Sequence, residues 1–231
     1  MGICKYLRGV IMKVELISYS KAADAFNHTF TNNSISDLVA HCARVSNPAN
    51  QMNQSTNDRL LNYLKKNAHW SPFEMVSMCL EIETTRDIAR QMLRHRSFSF
   101  QEFSQRYANP VDELVDGAFE LRDARLQDEK NRQNSVELEE GSRLDTDWKL
   151  QQASVISAAK EAYQWAIDHG IAKEQARCVL PEGNTVSRLY MNGTLRSWIH
   201  YIELRSENGT QLEHMDIAKA CAQVISKVYP L

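Results

Sequence analysis

The eight glycines of this 231-residue chain all stand alone, with no G-x-G anywhere. A wound parallel sheet that seats a dinucleotide on its first turn needs such a pair, because only glycine lets the backbone approach a pyrophosphate at a helix N-terminus. Strand-like and helix-like stretches also follow one another without regular alternation. The expected class is therefore a mixed α+β single domain. The length suffices for one full core, and nothing reads as a long linker.

Periodicity supplies the elements. Residues 13–19 alternate apolar and polar as a half-buried strand does, and 36–46 read as a short helix after a polar loop ending in NNS. A helix over about 56–67, capped by Ser55, places Leu60, Leu61 and Leu64 on one face. Met78, Leu80 and Ile82 then alternate with Cys79, Glu81 and Glu83, which predicts a strand with one wet side. It leads into RDIARQMLRHR, a helix with Ile88, Ala89, Met92 and Leu93 as its buried stripe and Arg90 and Arg94 sharing a face. Residues 119–147 are charged and poor in large apolar groups, which suggests an exposed loop or hairpin. A long helix over about 147–169 follows, with Val155, Ile156, Ala159, Ala162, Tyr163 and Ala166 at helical spacing and Gly170 as its stop. A short helix before Pro181, a polar strand-like piece carrying Arg188, and helices over about 194–204 and 211–228 complete the pass.

Composition excludes several functions. The net charge of -2 gives no global basic field, so non-specific nucleic-acid binding is not expected. No apolar run approaches a membrane span, and the start lacks a signal peptide's apolar core, which points to the cytoplasm. Met12 opens the first strand-like run, which leaves residues 1–11 free to be a dispensable leader before a domain over 12–231. Five scattered cysteines without a C-x-x-C pair argue against a disulfide framework or a thiolate zinc site, and no His pair has H-x-x-x-H spacing. No metal site is expected.

The chemistry concentrates in arginine. Arg94-His95-Arg96, Ser104 and Arg106 put three guanidiniums, an imidazole and a hydroxyl into thirteen residues. Chance gives such a pattern in on the order of one in ten thousand chains of this composition. Arg90, Arg94, Arg96 and Arg106 lie in the Lys-free stretch between Lys66 and Lys130, and Arg177, Arg188, Arg196 and Arg205 lie in another between Lys173 and Lys219. A solvated face uses both cations; a site that grips phosphate or a base edge favours the planar, always-charged fork of arginine.

The run RHRSFSFQEFSQRY resembles the signature of the flavin-dependent thymidylate synthases, in which Arg-His-Arg is followed by seven residues and a Ser. The resemblance runs over about 36–107 and 174–205. It implies a central mixed sheet flanked by helices, a homotetramer with sites between chains, and the formation of dTMP from dUMP. FAD is the implied hydride carrier, methylenetetrahydrofolate the one-carbon donor and NADPH the reductant. In the family the Arg-His-Arg segment contacts FAD, which carries that role to Arg94, His95 and Arg96. HWSPFE resembles the family's His-x-x-Pro-Phe-Glu element near the flavin, giving His69 and Ser71. Thr194, Arg196 and His200 occupy the stretch that reaches FAD from the C-terminal half, although some members have Asn where this chain has His200. Gln91, Arg94, Glu102, Ser104, Gln105, Arg106 and Arg177 match the dUMP positions, with Glu102 also beside the cofactor. Arg205 matches the catalytic Arg that stabilises the pyrimidine as it ionises at N3 and also binds dUMP.

No cysteine here has the Pro-Cys-Gln-His setting of the folate-reducing class of thymidylate synthase, so cysteine nucleophilic catalysis is not supported. Ser104 has no adjacent base in the sequence and is read as a dUMP ligand. Two other classes stay open at this stage: a nucleotide-binding regulator without catalysis, and a flavin reductase acting on another substrate.

Overall fold

The computed structural model describes residues 3–7, 10–29, 34–114, 117–139 and 141–230, with side chains described from residue 13 onward, excluding 27–29. Its centre is a five-stranded sheet in the order β1-β2-β3-β7-β4. β1 (Ile3–Leu7) and β2 (Val10–Tyr19) form an edge hairpin. The chain then passes a 3-10 turn at Asp24–Thr29 and two helices, α1 (Ile35–Ala43) and α2 (Asn57–Lys66), before β3 (Ser77–Thr85). Short α3 (Arg86–Met92) returns the chain to β4 (Phe98–Glu102), followed by one turn of helix, α4 (Pro110–Glu113). A separate hairpin, β5 (Arg125–Gln127) and β6 (Ser135–Glu137), precedes the long α5 (Arg143–Asp168). Then come α6 (Lys173–Ala176), β7 (Val186–Thr194), α7 (Leu195–Arg205) and α8 (Leu212–Ile225).

Among the described strands every pairing is antiparallel, which corrects the expected mixed sheet. β3 and β4 run the same way, being joined through α3, but they are not neighbours. β7 arrives from about ninety residues downstream and inserts between them, pairing Leu80 with Met191 on one side and Phe98 with Gly193 on the other. The close approach of β4 requires Gly193, because a Cβ there would run into the Phe98 ring. Neither β4 nor the depth of β7 was expected, since FSFQE and VSRLYMNGT carry too many polar residues to stand out from loops.

One face of the sheet holds the core. Val14, Met78, Leu80, Ile82, Leu189, Met191 and Phe98 pack with Val39, Leu61, Trp198, Tyr201, Ile217 and Val224 from the helices. The other face departs from expectation, because Glu81 and Glu83 are buried rather than wet. Their charges are met across the strands: Arg188 Nε donates to Glu83 at 2.9 Å, and Lys13 lies 3.8 Å from Glu81. Burying a carboxylate beside its cation avoids the several kcal/mol that an unpaired buried charge costs, which a helix-free reading of alternation cannot foresee.

Three further boundaries shift. α2 starts after Thr56 with no side-chain cap, so Ser55 is not its N-cap; its hydroxyl donates to Asn53 instead. α3 ends at Met92, and the tight turn through Arg94 and His95 removes Arg94 from the helix face that Arg90 occupies. α5 buries Ile156, Ala159, Tyr163 and Ala166 as expected but leaves Val155 and Ala162 exposed.

Candidate active site

The Arg-His-Arg turn lies where α3 reverses into β4, against the C-terminal half of α7. His95 is the member of this turn whose side chain has described partners. Arg205, the last residue of α7, donates from Nε to His95 Nε2 at 2.9 Å. The ring also stands edge-on to Tyr201, one helical turn before Arg205, with centroids 4.9 Å apart. Partial burial and the charges of Arg205 and Arg94 lower its pKa to about 4. His95 is thus neutral at physiological pH. Its Nε2 accepts from Arg205, so its proton sits on Nδ1, aimed away from that contact.

Gln91, in the last turn of α3, faces the start of α8. Its amide donates to Gln211 Oε1 at 2.7 Å, and its oxygen lies 3.2 Å from Nδ1 of the fully buried His214. Arg90, on the exposed side of α3, reaches Glu102 at 3.2 Å and Glu182 at 3.1 Å. Glu102 is further held by Ser187, whose hydroxyl donates to it at 2.9 Å, and by Arg86 at 3.6 Å. Glu102 is therefore a fixed acceptor at the end of β4.

Beyond it the Ser104 loop docks on α6. Lys173 donates to the Tyr107 carbonyl at 2.9 Å, Arg106 pairs with Glu174 at 3.4 Å, and Arg177 caps the Glu174 carbonyl at 3.3 Å. The structure therefore brings Arg106 and Arg177 together across seventy residues. Ser104 Oγ accepts only a long contact from the Arg106 backbone N–H, at 3.4 Å. No His or Lys is hydrogen-bonded to it among the described residues, so no general base activates it. Gln105 is only 3 % exposed, and its Nε2 has no described partner.

A third group forms around the start of α7. Thr194 is the N-cap, accepting from the Ser197 N–H at 3.2 Å. Arg196 donates to Glu74, which the sequence reading had not singled out although it ends HWSPFE. His200 stacks edge-on against Trp70 at 4.5 Å, while exposed His69 lies against Tyr63. Ser71 is exposed at the start of the same 3-10 turn. Arg205 lies nine positions after Arg196 on α7, or about 14 Å along the helix axis. Within one chain, the His69–Arg196–His200 group and the His95–Arg205–Gln91 group are thus separate.

Arg94 and Arg96 are exposed, and neither side chain has an ion-pair partner among the described residues. Every other arginine of the predicted set is engaged. Two open guanidiniums beside a neutral imidazole N–H form a donor set that suits a pyrophosphate held by side chains, as the glycine pattern requires. Burial raises the pKa of the Cys42, Cys79 and Cys221 thiols, which keeps these three protonated.

This arrangement defines a class: an α+β protein in which open arginines and a neutral histidine, rather than a glycine turn, are available to an anion. A family model described as thymidylate synthase complementing protein matches residues 27–231. The chain is 48% identical over 199 residues to a probable flavin-dependent thymidylate synthase of Paramecium bursaria Chlorella virus 1, covering 86% of this chain and 88% of that one. It is 50% identical over 195 residues to the flavin-dependent thymidylate synthase of Synechocystis, covering 84% and 85%. Among solved structures, the UMP/dUMP methylase PolB of Streptomyces cacaoi bound with 5-Br dUMP superposes with a TM-score of 0.75 at 28% identity, over 94% of this chain and 90% of that one. The chain belongs to the flavin-dependent thymidylate synthase family.

Proposed function

We propose that this protein reductively methylates dUMP to dTMP, with methylenetetrahydrofolate as one-carbon donor and NADPH as reductant through FAD. The observation that carries the reading is the 2.9 Å contact of Arg205 with His95, which joins the signature turn to the end of α7 across 110 residues. FAD, when bound, would supply the hydride-carrying chemistry between NADPH and the substrate. Arg94 and Arg96 would neutralise its phosphates, with His95 donating from Nδ1, and Glu102, His69, Ser71, Thr194, Arg196 and His200 would line the remainder of its site.

The substrate's phosphate and base fall to Gln91, Arg94, Glu102, Ser104, Gln105, Arg106, Arg177 and Arg205. The buried Gln105 side chain supports a role for this residue through loop shape, or through its one unpartnered donor. Arg205 is the catalytic residue. Its Nε is engaged by His95, its Nη groups have no described partner, and a guanidinium keeps its charge when desolvated. It therefore stabilises the negative charge that develops on the pyrimidine at N3 and does so without moving a proton.

A homotetramer with sites shared between subunits is part of this reading. Two observations support it: the separation of the Arg196 and Arg205 groups within one chain, and a line of exposed apolar residues on α5, namely Leu144, Trp148, Val155 and Trp165. These recur at four-, seven- and ten-residue intervals, the spacing of a helix face suited to a second copy. Among the described residues no helix is long and apolar enough to cross a membrane, and a cytoplasmic location fits a reaction on nucleotides and folate.

Purified protein incubated with dUMP, methylenetetrahydrofolate, NADPH and FAD should form dTMP. NADPH oxidation that proceeds equally without dUMP and folate would instead indicate a flavin reductase, and protein that never takes up flavin would indicate a regulator.

A further inference from the structure

Behind Gln91 runs a line of hydrogen bonds whose direction is set at one end. Arg125, from β5 of the small hairpin, donates to Glu213 Oε1 at 2.6 Å. Gln211 donates from Nε2 to the other oxygen, Glu213 Oε2, at 3.0 Å. Gln91 donates to Gln211 Oε1 at 2.7 Å, His214 Nδ1 faces Gln91 Oε1 at 3.2 Å, and His214 Nε2 faces the Tyr201 hydroxyl at 3.1 Å. His214 is fully buried and Tyr201 is 1% exposed, so neither has water to reverse its bonds.

Two members at one end of this line have no choice of role: the Arg125 guanidinium can only donate, and it meets a carboxylate. An ionised carboxylate can only accept. Burial raises the pKa of Glu213, but the hydrogen bond and charge of Arg125 outweigh it and leave the pKa lowered, so Glu213 is ionised. The Gln211 amide must then turn its NH₂ to Glu213 and its oxygen to Gln91. Gln91 must turn its NH₂ to Gln211 and its oxygen to His214. His214 must carry its proton on Nδ1, and Nε2 must accept from Tyr201. Amide and imidazole orientations are ordinarily assigned from their neighbours; here the whole sequence follows from one carboxylate.

We infer that Glu213, Gln211 and His214 are positioning residues that fix which way the Gln91 amide faces, and so which donor and acceptor it presents to the pyrimidine of the nucleotide. The inference rests on the dUMP reading of the site. It gives the charged 119–147 segment a function, since Arg125 anchors the line from outside the core. It also explains why a histidine occupies the buried face of α8 among Ile217, Ala218, Cys221 and Val224. The geometry reaches the reacting side of the molecule by two routes. Tyr201 ties the line to α7, one turn before Arg205, and its ring buttresses His95. A uracil edge and a cytosine edge differ in the order of donors and acceptors, so an amide that cannot flip discriminates between them, whereas one that flips does not.

Replacing the carboxylate by its isosteric amide tests the direction rather than the packing. In Glu213→Gln the side-chain oxygen stays on Arg125 and the new NH₂ faces Gln211. Each subsequent bond then reverses, ending with His214 protonated on Nε2 and donating to Tyr201. Nitrogen-15 spectra of histidine-labelled, flavin-loaded protein read this directly, with the His214 signals assigned by their loss in His214→Asn. Wild type should show His214 protonated on Nδ1 and Glu213→Gln should show it on Nε2. With the amide reversed, KM for dUMP should rise by roughly tenfold, the scale of one misdirected hydrogen bond, with kcat within about twofold and flavin occupancy unchanged. A wild-type His214 protonated on Nε2 overturns the inference whether or not any variant folds. So does a folded Glu213→Gln protein with wild-type KM. The underlying reading fails separately, since it fails if wild-type protein makes no dTMP, while the tautomer is measured without substrate.

Discussion

The two arginine groups at the signature turn are held in opposite ways. Arg205 is tied to His95 at 2.9 Å, over a ring packed on buried Tyr201. Arg94 and Arg96, one residue to either side of His95, point outward without an ion-pair partner among the described residues. Under the proposed function the difference separates two tasks. A group that meets charge as it develops must be in place beforehand, because any reorganisation adds to the barrier. A group that grips a diffusing anion gains by staying solvated until the ligand replaces its water.

The largest effect should follow from breaking that division. Arg205→Ala should lower kcat/KM for dUMP by about 10²- to 10³-fold, the usual consequence of losing one preorganised charge, while flavin stays bound. Arg96→Ala should do the reverse and lose flavin, as read by the bound flavin absorbance of folded protein. If Arg205→Ala loses as much flavin as Arg96→Ala, the two arginines share one task and the comparison collapses.

The same contrast shows what the sequence could reveal. Arg94, His95 and Arg96 stood out because basic residue types within a short run are visible as a motif. The contact that gives them meaning spans 110 residues and was not visible at all. Gln211, Glu213 and His214 were missed, although a histidine in register with Ile217, Ala218 and Cys221 was a usable signal, since a buried imidazole needs partners. β7 was read as a polar piece because its Arg188 and Tyr190 face a layer of buried carboxylates, so its polarity marks pairing rather than exposure. Val155 and Ala162 shared a helical period with the true buried stripe of α5 but lie on its exposed side. Periodicity finds an apolar face without saying what covers it.

Acid should expose the buried side of the comparison. Burial, with Arg205 and His95 nearby, lowers the His214 pKa to about 3, and His95 stands at about 4, against 6.5 when unfolded. Between those values the unfolded chain binds more protons than the folded one, so stability rises with pH there and is lost as pH falls from about 6.5 toward 4. The slope approaches about 1.4 kcal/mol per pH unit for each such histidine. Thermal melts at pH 6.5 and 5 span a window above most carboxylate titration. A Tm that stays flat across it would show that these histidines are not held neutral, whereas His214→Asn should make the fall shallower.

A smaller effect concerns the strand that carries the site. Gly193→Ala would set a methyl group into the Phe98 ring, between β7 and β4, three residues after the signature turn begins its reversal into the sheet. Overpacking of this kind costs about 1–3 kcal/mol, so Tm should drop by several degrees. Because Phe98 anchors the strand that ends in Glu102, KM for dUMP should rise as well. Pairing Gly193→Ala with Phe98→Leu, which makes room for the methyl group, should recover most of the loss. If the double variant is no better than the single one, the ring contact is not the cause.

The smallest effect on turnover belongs to the thiols, and it distinguishes a site made of arginine from one made of nucleophiles. Cys221 is fully buried and Cys42 and Cys79 are half-buried, each with a pKa raised by burial, while Cys178 is exposed. None lies in hydrogen-bond contact with His95, Arg205 or Gln91 among the described residues. Replacing all five cysteines by Ala or Ser should therefore leave kcat within about twofold. The cost should appear as about 1–2 kcal/mol of stability, chiefly from the cavity left at position 221 between Ala218 and Val224, and restoring Cys221 alone should return most of it. A folded, flavin-loaded variant without cysteines that makes no dTMP would place a thiol in the reaction. The opposed roles of Arg205 and Arg96 would then be auxiliary to a covalent step.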